Sequence, residues 1–135
     1  MKIKLKGNPS SAAVIIPILI AALFSACAPS RSPSETAASS LEALAEKDQT
    51  RAVSVSCAAW EESALAEGAS FINVEVGLED LSCQVDSQSD SEAAVSCSGR
   101  YVFSYDAGED QELDLSGRVL HISKESGEWR MCGYR

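Results

Sequence analysis

The chain is short of the side chains on which most proton-transfer chemistry depends. It has one histidine in 135 residues, His121, so any imidazole mechanism would rest on that position alone. No glycine-rich phosphate loop, nucleophile elbow or basic patch occurs along it. Its five cysteines, at 27, 57, 83, 97 and 132, include no pair at the short C-x₂₋₄-C spacing of zinc sites. The apolar run from Ala12 to Phe24 has only about a dozen residues and is interrupted by Pro17, whereas a membrane-crossing helix takes roughly 20. Basic residues are also few. All twenty acidic side chains lie beyond Cys27, and three of the eleven basic ones precede it, which leaves 20 against 8 and a net charge of −12 for the rest. Such a surface repels phosphate backbones, so nucleic acid is not an expected partner, and the charge reads as solubility.

What is present begins with an export signal. Lys2, Lys4 and Lys6 precede the apolar run, and small residues follow it up to Cys27. Ala26-Cys27-Ala28 has the A-x-A form of an ordinary secretory cleavage site, although Pro29 directly after it argues against cleavage there. Leu23-Phe24-Ser25-Ala26-Cys27 supports a different reading. Its last four residues resemble the lipobox of bacterial lipoproteins, with Phe24 where leucine is usual. The resemblance implies that the Cys27 thiol takes a diacylglycerol, with palmitate-type chains, and becomes the new N-terminus. Each buried CH₂ of an acyl chain contributes about 0.8 kcal/mol, so two or three chains on Cys27 would anchor the protein stably. Ala28, where an aspartate would retain the protein in the inner membrane, implies an outward-facing or outer-membrane location. The expected division is thus a signal peptide over 1–26, a disordered tether over 27–40 and one folded domain over 41–135. About 108 residues beyond the leader are enough for one modest core and too few for two.

The tether expectation rests on composition: Ala28 to Ser40 is small, polar and proline-containing, without apolar periodicity. From Leu41 the pattern turns helical, with Ser39 or Ser40 as cap and Leu41, Leu44 and Ala45 at i, i+3 and i+4. A second helix is expected from Thr50 or Arg51 towards Glu67, with Val53, Cys57, Trp60 and Ala64 on one face and Gly68 at its stop. The period then falls towards two. Val74, Val76 and Leu78, then Leu81, Cys83 and Val85, alternate with a one-residue slip near Glu79-Asp80 that predicts a bulge. A polar turn over Asp86 to Ser91 leads to a strand from Val95 to Tyr105, and Leu113 to Ser123 and Glu128 to Tyr134 form two more, joined by a loop in which Gly127 takes positive φ. The expected fold is α+β, two N-terminal helices packed on a four-stranded antiparallel meander.

With that order the chain resembles the nuclear-transport-factor-two-like, or cystatin-like cone, group, in the reduced version carried by small bacterial lipoproteins. The features that carry it are Leu41-Glu42-Ala43-Leu44-Ala45-Glu46-Lys47-Asp48, Cys57-Ala58-Ala59-Trp60, Leu78-Glu79-Asp80-Leu81-Ser82-Cys83, Val95-Ser96-Cys97-Ser98-Gly99 and Glu128-Trp129-Arg130-Met131-Cys132-Gly133-Tyr134. The group hosts enzymes, adaptors and domains without known activity, so the resemblance speaks to fold rather than function.

With Cys27 given to lipid, Cys57, Cys83, Cys97 and Cys132 form an even set in an exported domain, for which disulfides are the default. Four thiols allow three pairings. Cys83 and Cys97 are equidistant from residue 90, in the turn between two strands, and so face each other across them. Cys97 with Cys132 would span an intervening strand, about 10 Å, beyond the roughly 7 Å limit for a disulfide. Cys57 with Cys132 remains.

No catalytic, cofactor or metal set is assigned. Asp80, Asp114 and His121 are the residues a cone-fold lyase, isomerase or hydrolase would need to bring together, and no motif links them. Trp60, Trp129, Tyr101, Phe103, Tyr105 and Tyr134 would line a pocket or, more often for such residues, fill the core. Glu109-Asp110-Gln111-Glu112-Leu113-Asp114 has the charge to attract Ca²⁺ but lacks the ligand spacing and glycine of an EF-hand loop. The resulting expectation is a lipid-anchored, non-catalytic domain outside the cytoplasm, binding a protein partner or small ligand and able to pair with a second copy through its sheet. A cone-fold enzyme with a cavity near His121 is the alternative.

Overall fold

The computed structural model describes residues 29–135; the expected signal peptide and the expected lipid site Cys27 lie outside the described residues. Three helices, α1 (Pro33–Ala45), α2 (Gln49–Ser54) and α3 (Glu61–Ala69), precede five strands: β1 (Glu75–Gln88), β2 (Glu92–Ser104), β3 (Gln111–Asp114), β4 (Val119–Glu125) and β5 (Glu128–Tyr134). The α+β class is as expected, with one more helix and one more strand.

The first correction concerns the tether. Helix α1 starts eight residues before Leu41, because Ser32-Pro33-Ser34-Glu35 is a complete start signal. The Ser32 hydroxyl accepts the Glu35 N–H, the Glu35 carboxylate accepts the Ser32 N–H, and Pro33 occupies the first turn. Thr36, Ala37, Ser39 and Ser40 are buried, so the small residues that read as linker are a helix face fitted closely to the sheet. Helix α1 lies across the sheet and touches β1, β2, β4 and β5. Its Leu41 and Leu44 enter the core, and the Tyr101 hydroxyl donates to the buried Leu41 carbonyl at 2.8 Å.

The second correction concerns the next helix, which is two. Helix α2 ends at Ser54, and α3 begins at Glu61. The stretch where α2 ends, Val53-Ser54-Val55-Ser56, is rich in β-branched and serine residues, which favour helix weakly. Its backbone bonds to a strand instead. The Met131 N–H donates to Val55 O at 2.7 Å and the Cys57 N–H to Met131 O at 2.8 Å, a parallel bridge between Ser56 and Met131. Gly68 lies in the last turn of α3 rather than beyond it.

The sheet order is β1-β2-β4-β5, with every strand pair antiparallel. The expected single strand from Leu113 to Ser123 is interrupted: β3 pairs with the C-terminal half of β2, at Arg100–Phe103, and β4 pairs with its N-terminal half, at Glu92–Ser96. Between them the chain buries Leu115, whose N–H donates to Gly99 O at 3.0 Å. The expected bulge is present as a register shift between Glu79 and Ser82, with Asp80 at φ 53°. Gly99 faces it. A Cβ there would lie 2.6 Å from the Glu79 carbonyl oxygen, and its φ of +114° is itself a conformation that glycine adopts most readily. The β4–β5 loop is a two-residue turn, since Ser126 and Gly127 both have positive φ between the paired Glu125 and Glu128.

Val95, Cys97 and Tyr101 of β2, Leu120 and Ile122 of β4, Met131 of β5 and Leu115 from the segment between β3 and β4 complete the core with Ala37 and Leu41. Tyr105, expected to continue the buried face of β2, falls just past the strand and is half exposed. Both expected cysteine pairs are brought together: Cys83 is directly opposite Cys97, with Cα atoms 4.1 Å apart, and Cys57 meets Cys132 at 5.4 Å.

Candidate functional site

An open groove runs along the outer strand. A groove of about 600 Å³ is lined by Ala45, Glu46 and Lys47 at the end of α1, by Glu75, Val76, Gly77 and Glu79 of β1, and by Val102, Ser104 and Asp110. A second hollow of about 300 Å³ shares Ala45, Glu46 and Val76 with it and adds Glu42, Leu78 and Leu81. Its floor is apolar because Val76, Leu78 and Leu81 point towards α1 and are only half covered by it. Its rim carries more acid than base: Glu42, Glu75 and Asp110 stand with Glu46, paired to Arg51, and Glu79, paired to Arg100, against Lys47, whose ammonium donates to Ile72 O. Strand β1, with β2 as its sole sheet neighbour among the described residues, presents its other side unpaired along this groove.

The residues proposed for catalysis do not converge. Asp80 and Asp114 line a hollow around Arg100, together with Ser98, Gly99 and Glu112. Arg100 donates to Glu79 at 2.6 Å, and this bond, reinforced by Glu112, raises its already high pKa. The Asp114 carboxylate accepts the Ser116 N–H at 2.7 Å, which holds its pKa below the usual range. His121 is elsewhere: it pairs with Ala94 across β2 and lies 3.5 Å from Glu92, on the strand face opposite the buried Leu120 and Ile122. Its buried Nε2 has no hydrogen-bond partner among the described residues. Among the described residues no three His, Cys, Asp or Glu side chains are grouped to hold a metal ion, and the Glu109–Asp114 stretch is a turn running into β3.

The aromatic residues divide among three places rather than lining one pocket. Phe71, just after α3, meets Tyr101 and Phe103 of β2 edge-on at centroid distances of 5.4 and 5.3 Å. Trp60 meets Tyr134 edge-on at 5.9 Å and closes over Gly133. Trp129 lies beneath the Lys124 ammonium at 5.1 Å.

One polar cluster was not foreseen. The Tyr134 hydroxyl donates to Glu67 Oε1 at 2.9 Å, and Arg118 sits 5.7 Å above the Tyr134 ring. Burial against the sheet raises the Glu67 pKa, and the Tyr134 bond and Arg118 oppose that rise only in part. Tyr134 and Tyr101 are also pushed up, chiefly by burial and then by the Glu67 charge. No sequence spacing points to this cluster, because Glu67 and Tyr134 are 67 residues apart and meet only in the tertiary fold.

No family model matches the chain, and no curated protein matches it in sequence. Among solved structures, the solution structure of a SEC-C motif containing protein from Rhodopseudomonas palustris superposes with a TM-score of 0.53 at 19% sequence identity, covering 77% of this chain and 77% of that one. At that identity the likeness concerns the fold.

Proposed function

We propose that the protein is a lipid-anchored domain outside the cytoplasm, of the reduced cystatin-like cone type, that binds a protein partner or small ligand without transforming it. The observation that carries the binding reading is the groove along β1: half-covered Val76, Leu78 and Leu81 beside a strand edge that no other strand pairs among the described residues. Apolar floors flanked by free backbone donors and acceptors suit an extended segment, which adds as a further strand and seats alternate side chains. The acidic rim favours a basic one. The location is supported by two cysteine pairs at bonding distance, an arrangement at home in an oxidising compartment. The anchor is Cys27 and the lipobox-like residues before it.

No described arrangement favours the catalytic alternative, since His121 is far along the sheet from the Asp80 and Asp114 pair. A photo-crosslinking residue at Leu78, in the bacterium that makes the protein, is expected to give a discrete adduct that Val76→Lys abolishes. A self-adduct would identify the partner as a second copy joined through the sheet. Absence of any adduct from both Leu78 and Leu81 would sink the binding reading.

A further inference from the structure

If Cys27 carries lipid, the early start of α1 leaves very little chain between membrane and domain. Five peptide links separate Cys27 from Ser32, the cap of α1, and a fully extended chain of that length spans at most about 18 Å. The domain cannot then swing freely. Whichever surface surrounds Ser32 is held at the bilayer, and that surface is well defined. Pro29, Ser30 and Arg31 line a hollow of about 260 Å³ with Val55, Trp129 and Arg130. The Thr36 hydroxyl donates to Trp129 O, which fixes the first turn of α1 to the β4–β5 hairpin.

We infer that this end, made of Pro29–Ser32, the Ser54–Val55 end of α2 and the Lys124–Arg130 hairpin, faces the headgroup layer of the membrane that holds Cys27. The inference rests on the lipid-anchor reading and adds an orientation to it. Helix α1 is 13 residues long, about 20 Å, and the β1 groove begins at its far end with Ala45, Glu46 and Lys47. The groove therefore points away from the membrane, where a partner can reach it. Trp129 under Lys124, with Arg31 and Arg130 beside it, is the mixture of amphipathic ring and long cationic stems that suits a headgroup layer. Attraction to lipid phosphate is not what holds this end. Asp90, Glu92, Glu125 and Glu128 are close by, as the bonds from Lys124 to Ser91 and between Arg130 and Glu128 show, so the short covalent link sets the orientation.

Lys47 and Lys124 are the two lysines beyond the leader, and both are exposed, one at each end of the domain. They provide an internal control. The full chain, purified from bacterial membranes and placed in vesicles of phosphatidylethanolamine and phosphatidylglycerol, is treated with a bulky amine-reactive polyethylene glycol. Lys124 is expected to react several-fold more slowly than Lys47, and a long Gly/Ser spacer between Pro29 and Ser30 should remove the difference. Equal modification of the two lysines in protein whose Cys27 carries diacylglycerol mass, unaffected by the spacer, would overturn the orientation and leave the anchor standing. Absence of acyl mass on Cys27 would remove the anchor and the orientation with it.

Discussion

The two outer strands of the sheet are treated in opposite ways. Beyond β5, the Val55–Cys57 segment adds a parallel bridge at Met131, the Cys57–Cys132 pair ties it covalently, and Trp60 closes over Gly133. Beyond β1 there is nothing among the described residues, although at 14 residues β1 is the longest strand. Open edges invite uncontrolled pairing, and natural sheets blunt them with charges and bulges. Here both devices are present: Glu75, Glu79, Asp80 and Asp86 line β1, and its register shifts after Glu79 and again after Val85. The blunting divides the edge into short runs without covering it. Strand β5 is thus sealed by a covalent and hydrogen-bonded segment, and β1 is left open among the described residues, with an edge whose charge disfavours acidic strands.

The sharpest way to break this contrast is to remove the cysteine pairs one at a time. Cys57 to Cys132 closes a loop of 75 residues, and the entropy of closing that loop in the unfolded chain contributes about 4 kcal/mol. Cys83 to Cys97 closes 14 residues across the β1–β2 pair and in the same way contributes about 3 kcal/mol. Urea unfolding of the two Cys-to-Ser double variants is expected to show both losses, the larger for Cys57/Cys132. Only that variant should also expose the Met131 amide to hydrogen exchange, because its N–H is bonded to the sealing segment at Val55.

At the open edge the corresponding test is Gly99→Ala. The added methyl would meet the Glu79 and Asp80 carbonyl oxygens at 2.6 and 2.9 Å, in a backbone conformation that alanine disfavours. Strain of this kind costs on the order of 2 kcal/mol, and relief requires the β1 bulge to shift. A loss of unfolding free energy of that size, read as a lower urea midpoint, with crosslinking at Leu78 weakened, is expected. An unchanged midpoint would mean that the bulge is not held by Gly99.

How much of this could be read from the residues alone divides along similar lines. The β1 bulge was legible because alternation slips by one at Glu79-Asp80, and both cysteine partners followed once the strands were placed, since strand spacing forbids Cys97 from reaching Cys132. The start of α1 was written in the chain and overridden by composition: Ser32-Pro33-Ser34-Glu35 is a capping box, but the serine-rich stretch after it has too little apolar surface to announce a buried face. Ser39 and Ser40 are buried because they are small, which periodicity of apolar residues does not register. The break at Val55–Cys57 was hidden for a different reason. Val53, Cys57, Trp60 and Ala64 keep helical spacing, and only a distant partner, Met131, makes the extended form more favourable. The groove depends likewise on β1 having no outer neighbour among the described residues, a property of the whole sheet.

The smallest effect comes from the closed side, at Glu67. Its pKa in the folded protein is raised above the ordinary value of 4.5, first by burial, with the Tyr134 bond pulling the other way. A carboxyl whose folded pKa exceeds its unfolded one binds more protons when folded, so its contribution is most favourable below about pH 4.5 and is lost as pH rises through the folded value. Glu67→Gln keeps an oxygen to accept the Tyr134 hydroxyl and removes the charge. The variant should therefore melt slightly higher than the parent at pH 7, and the two melting curves should approach one another as the pH is lowered through the carboxylate range. Partial exposure of Glu67 to water keeps the difference small. A variant that melts lower at pH 7 would mean that the charged bond to Tyr134 outweighs the desolvation, so that the ion itself helps to hold α3 against β5.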